Sequence, residues 1–88
     1  DIPSWSTTPN TQLHQWDISG YGGANQQWRI TLEPDGYYQI KSIHSGQVVE
    51  IANGSTSNGA AVVQNTDTNA DTQRWQITPR PTASTASA

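Results

Sequence analysis

The chain is 88 residues long, enough for one small domain and too short for two, with a net charge of −3 and only 12% charged residues. Its few cations, Arg29, Lys41, Arg74 and Arg80, are scattered, which excludes a phosphate-binding stripe and argues against nucleic acid as a partner. No apolar run approaches the ~18 residues of a spanning helix, which argues against membrane insertion.

Apolar residues make up 32% of the chain, and Phe, Met and Cys are absent. The bulk for a core must therefore come largely from Trp5, Trp16, Trp28 and Trp75, with Tyr21, Tyr37 and Tyr38. Polarity comes instead from 35 Asn, Gln, Ser and Thr residues. Such a surface offers neutral donors and acceptors, suited to neutral polar partners such as sugar hydroxyls. Without cysteine there is no disulfide, and the redox compartment is left open. The chain starts at Asp1 rather than Met and carries no leader pattern, so we expect a processed product or a piece of a longer protein.

In chain order, short alternating runs separated by Gly, Asn, Asp and Pro predict an all-β fold, and helical periodicity is missing throughout. "NTQLHQWD" (10–17) reads as a strand. "GYGGAN" (20–25) is Gly-rich without a helix behind it, so it is no phosphate cradle. "QQWRI" (26–30) opens the next strand, and "YYQIKSI" (37–43) follows the turn-forming "PDG". "QVVEI" (47–51) comes after the "HSG" turn, "AAVVQN" (60–65) after the "NGSTSNG" loop, and "QRWQIT" (73–78) closes the series. In "NGS" (53–55) a glycosylation sequon coincides with a turn signal. The tail 80–88, "RPTASTASA", is expected to be a linker or disordered end.

Two of the runs repeat. Trp28 and Trp75 each end a Gln-x-Trp triplet, and "DIPSWSTTPNTQLHQW" (1–16) lies over "EIANGSTSNGAAVVQN" (50–65). Acid meets acid at Asp1 and Glu50, Ile2 meets Ile51, Ser6-Thr7 meets Ser55-Thr56, and Gln15 meets Gln64. The first copy lacks its opening strand, whereas the second is complete.

The recurring Gln-x-Trp of "NQQW" and "TQRW", with "HSGQVVEI" and "NTQLHQWD", resembles the ricin-type β-trefoil lectins and carbohydrate-binding modules. The resemblance runs from Asp1 to about Pro79 and divides it into repeat one (1–30) and repeat two (31–79). It implies an incomplete trefoil, with about seven of twelve strands and Trp28 and Trp75 packed inside. A missing segment, another chain or a second copy of this one is then expected to complete the barrel, because an open trefoil exposes strand edges and apolar surface.

The resemblance also implies a sugar site in repeat one. Asp1 would accept from two hydroxyls, His14 stands at the polar position, Trp16 would be the stacking platform, and Asn25 and Gln26 would complete the hydrogen bonds. His14 replaces the Gln often found there, which leaves the preferred sugar stereochemistry open. The same mapping on repeat two gives Glu50, Val63, Asn65, Thr72 and Gln73, with no aromatic at Asn65. That second site is expected to be weak or silent.

Each residue also has a purely structural reading. Gln26 and Gln73 could equally satisfy backbone groups. Trp16 could be core, although Gln15 and Asp17 flank it; Trp5 is either an exposed binding aromatic or a packed loop anchor. His14 and His44 lie on separate strands without an acidic cluster at ligand spacing, so no metal site is expected. No carboxylate pair marks a cleft and no Ser-His-Asp pattern stands out, so neither catalysis nor a cofactor is expected. The expected role is a secreted, non-catalytic carbohydrate-binding module of a glycan-active enzyme. The alternatives are a lectin subunit of a toxin or adhesin, or a trefoil serving as a protein-interaction scaffold.

Overall fold

A computed structural model describes residues 1–18 and 23–79; Tyr21 and the expected linker at 80–88 lie outside the described residues. The described chain is all-β, with no α-helix. Five strands, β1 (Thr11–Gln12), β2 (Trp28–Leu32), β3 (Tyr38–Ser42), β4 (Val48–Ile51) and β5 (Val62–Asn65), form one antiparallel sheet in the order β1-β5-β4-β3-β2.

Local chemistry sets the connections. Glu33–Gly36 closes the β2–β3 hairpin, where Gly36 takes φ +87 and the Asp35 carboxylate accepts from the Tyr37 amide. Between β3 and β4, the Ser42 hydroxyl accepts from the His44 and Ser45 amides at 3.1 Å, and Gly46 takes φ +73. The quoted "HSG" is therefore a turn capped by a buried serine.

The repeat is visible in the backbone. The 3₁₀ turns Pro3–Trp5 and Ala52–Gly54 match, each closed by a serine amide on the first carbonyl. The turns Ala24–Gln26 and Asp71–Gln73 match as well, ending at Gln27 (φ −111, ψ 136) and Arg74 (φ −111, ψ 135). Each turn halts the chain just before its Trp.

Among the described residues the core is small and half polar: Ile2, Val48, Val49 and Val63 are its buried apolar residues, beside buried Asn25, Ser42, Gln64 and Gln73. Gln64 binds the repeats together. Its Nε2 donates to the Ser6 and Thr8 carbonyls, both at 3.1 Å, and its Oε1 accepts from Ser45 Oγ at 2.8 Å. Every polar atom of that carboxamide is used, which makes its burial tolerable. Gln15, aligned with it in sequence, is exposed instead.

Two expectations are corrected. Trp28 and Trp75 are half-buried rather than enclosed, and their settings differ: Trp28 is paired with Ser42 in the β2–β3 ladder, whereas Trp75 meets Tyr38 through one isolated bridge. The run 73–78 is a strand only at that bridge, and 10–17 only at Thr11–Gln12. Both follow from the same cause. Period-two alternation puts Trp28, Ile30 and Leu32 on one face of β2, yet Ile30 and Leu32 are more than half exposed. The described residues do not supply the surface that would cover that face, nor further strands that would extend the short ones.

Candidate functional site

Asp1 is held at the centre of repeat one by the backbone. Its carbonyl accepts from the His14 amide at 3.1 Å, and the next amide, Ile2, donates to the Asn25 carbonyl at 3.0 Å. These bonds bring the three segments around 1, 14 and 25 together, and buried Ile2 fixes their depth.

The Asp1 carboxylate is correspondingly crowded, its side chain 7% exposed. Oδ1 accepts from His14 Nε2 at 2.5 Å; Oδ2 accepts from Gln26 Nε2 at 2.7 Å and from Asn25 Nδ2 at 3.3 Å. The bond at Nε2 places a proton there and, in the neutral ring, leaves Nδ1 as an acceptor. Asn25 Nδ2 also donates to the Ile2 carbonyl, and Gln26 Nε2 to the Asp17 carbonyl. Asn25 and Gln26 thus orient the carboxylate and pin the Trp16–Asp17 segment. The imidazole of His14 stacks on Trp16, centroids 5.1 Å apart and planes 14° from parallel. One indole face is braced, and Trp16 still stands 68% exposed.

Asp1, His14, Trp16 and Asn25 share a depression of about 240 Å³ with Ser4 and Trp5. Trp5 is the residue whose role the sequence left open. It takes φ +56 at the position where repeat two has Gly54, φ +64. A left-handed backbone costs a bulky residue about 1–2 kcal/mol. His44 holds it: Nε2 donates to the Trp5 carbonyl at 2.6 Å, and the rings meet edge to face at 5.0 Å and 82°. His44 belongs to repeat two, so this contact crosses between the copies.

The second constellation is also assembled, but differently. Glu50 Oε1 accepts from Asn65 Nδ2 at 2.8 Å and Oε2 from Thr72 Oγ1 at 2.7 Å. Partial burial pushes the Glu50 carboxyl up, while the hydrogen bonds of Thr72, Asn65 and Gln73 outweigh it and hold the group below the usual carboxylate range. Gln73 is buried; it donates to the Thr66 carbonyl and accepts from the Thr68 amide, bracing its loop as Gln26 braces Asp17. Val63 is buried beside Glu50 in the β4–β5 ladder, and no ring stands at Asn65. Among the described residues no group of three His, Asp or Glu could hold a metal, and no helix is long and apolar enough to cross a membrane.

The family profile described as ricin-type beta-trefoil lectin domain-like matches residues 24–86. Among solved structures, the designed three-fold symmetric protein ThreeFoil is similar at 40% identity and a TM-score of 0.78, over 85% of this chain and 52% of its own. A second is 1,3Gal43A, an exo-beta-1,3-galactanase from Clostridium thermocellum, with 33% identity and a TM-score of 0.78 over 86% of this chain and 16% of its own. The chain thus spans about half of one and about a sixth of the other. No curated protein matches it.

Proposed function

The chain belongs to the ricin-type β-trefoil lectin domain-like family, and on that premise we propose that it is a non-catalytic carbohydrate-binding module of a secreted, glycan-active enzyme. The observation that carries this reading is the convergence of the Asp1 carboxylate, the His14 imidazole and the exposed Trp16 indole on one depression. A pyranose needs an apolar ring face on an aromatic and planar partners at its hydroxyls, and these groups supply both. Trp16 stacks on the C–H face. Asp1 accepts from a hydroxyl with the lone pair that its three donors leave unused, and His14 offers its remaining ring nitrogen. Asn25 and Gln26 act through Asp1, keeping its carboxylate aimed.

Galactose- or xylose-type sugars are the proposed ligands, and the parent activity a glycoside hydrolase or polysaccharide lyase. The similarity to part of a galactanase supports an enzyme context. One shallow site gives a Kd around millimolar, about −4 kcal/mol, and useful affinity then comes from several repeats acting on one polymer. The constellation at Glu50, Asn65 and Gln73 is proposed to be weak or silent, since no aromatic ring stands at Asn65 to stack on a sugar. The exposed Ile30, Leu32 and Ile77 support completion of the barrel by a further segment, another chain or a second copy.

A glycan array followed by calorimetric titration tests the function. Retention of galactosides, xylosides or their polymers is expected, and an array without a hit on a folded sample overturns the reading in favour of a protein-interaction scaffold.

A further inference from the structure

Trp5 shares the depression with Trp16, and four observations show that its place there is built rather than incidental. Its backbone is left-handed at φ +56, a conformation that the matching position of repeat two gives to glycine. His44 donates to its carbonyl and meets its ring edge to face. Gly23 gives way to it: a Cβ on Gly23 would lie 2.8 Å from Trp5 Cζ2 and 3.1 Å from Cη2. Yet so anchored an indole remains 50% exposed and lines the cavity above Asp1. A loop anchor would bury its ring. This one is fastened at its carbonyl and by one ring contact, leaving surface to the cavity.

Resting on the carbohydrate reading, we propose that Trp5 is a second aromatic wall of the site and a determinant of its specificity, so that one pyranose ring is received between two indoles. Trp16 takes the broad C–H face, and Trp5 meets the apolar edge turned away from the hydroxyls that Asp1 accepts. The volume of about 240 Å³ falls below the roughly 300–1,000 Å³ of drug-sized clefts, which suits a single sugar unit rather than the flat side of a ribbon polymer. Because His44 comes from repeat two, the site of repeat one is completed across the repeat boundary.

The test is an NMR titration of the full chain with methyl β-galactoside and methyl β-xyloside, following the indole N–H signals. With the glycoside that binds, the Trp5 and Trp16 signals move on one isotherm. Trp5→Gly, whose backbone suits φ +56, weakens binding about three- to tenfold while the melting temperature holds. Gly23→Ala, at φ −59 and ψ 164, strains no backbone but presses on the Trp5 ring and, at 3.0 Å, on Asn25 Oδ1, and weakens binding at least as much. A wild-type Trp5 signal that stays still, or a Trp5→Gly chain that binds as wild type while Trp16→Ala does not, removes Trp5 from the site and leaves the carbohydrate reading standing. A folded wild-type chain that takes up neither glycoside, nor any other on an array, overturns both.

Discussion

Thr72 donates its hydroxyl to the Glu50 carboxylate at 2.7 Å, tying the turn Asp71–Gln73 to β4 across repeat two. Together with the Asn65 bond, this contact leaves a carboxylate held below its usual range although burial opposes ionisation. Unfolded, a glutamate titrates near 4.3. A depressed folded value contributes stability that is fully present above that pH and is lost as pH falls through the folded value. Thr72→Ala should therefore cost about 0.5–1.5 kcal/mol at neutral pH and less under acid conditions, where Glu50 is already protonated. Melting curves of both chains from pH 7 to pH 3 check this; a cost that does not shrink on acidification would assign the contact to packing alone.

Gln64 and Gln15 occupy the same place in the aligned repeats and are expected to behave oppositely. Gln64→Ala leaves two carbonyls and the Ser45 hydroxyl without their partner in the core, at about 2–4 kcal/mol. Gln15→Ala, at an exposed position, should stay within about 0.5 kcal/mol. Denaturant titration of the two variants measures the difference directly.

That pair also shows what the sequence could and could not tell. The five residues proposed at the sugar site are neighbours in the fold, Asp1 bonded to His14, Asn25 and Gln26 and Trp16 stacked on His14, because each sits at a fixed offset from a turn or a Gln-x-Trp triplet, and such offsets are local. Burial is not local. Gln64 is enclosed because the loop at Ser6–Thr8 covers it, whereas among the described residues no such loop covers Gln15. Trp28 and Trp75 are half-buried for this reason, since their triplets mark a core position only where neighbouring segments cover them. The contact of His44 with Trp5 spans 39 residues and matches no periodicity, and only Trp5's position opposite Gly54 hinted at unusual backbone.

Ile30, Leu32 and Ile77 are about half or more exposed, and Ile30 and Leu32 share a strand face. The chain alone should therefore self-associate at micromolar to millimolar concentration. Replacing Ile30 and Leu32 together with Lys should shift sedimentation toward monomer with little loss of melting temperature, since neither side chain is buried. A wild-type chain that sediments as a compact, cooperatively melting monomer would refute the need for a completing surface.

The two constellations should differ in binding, and Trp16 should carry it. Trp16→Ala removes an indole that is mostly exposed, touches His14 by stacking and contributes little to the core. The fold should hold while affinity falls by about 1–2 kcal/mol, the scale of an aromatic contact with its buried area. Part of that loss is indirect: without the indole, the imidazole of His14 is free to turn away from Asp1. Asn65→Ala in repeat two removes a donor to Glu50 but no ring, because none stands there. It should lower stability slightly and leave sugar affinity unchanged. Titrating each variant with the best glycan from the array, beside a melting curve, separates the effects. Loss of binding in Asn65→Ala with Trp16→Ala intact would move the working site to repeat two.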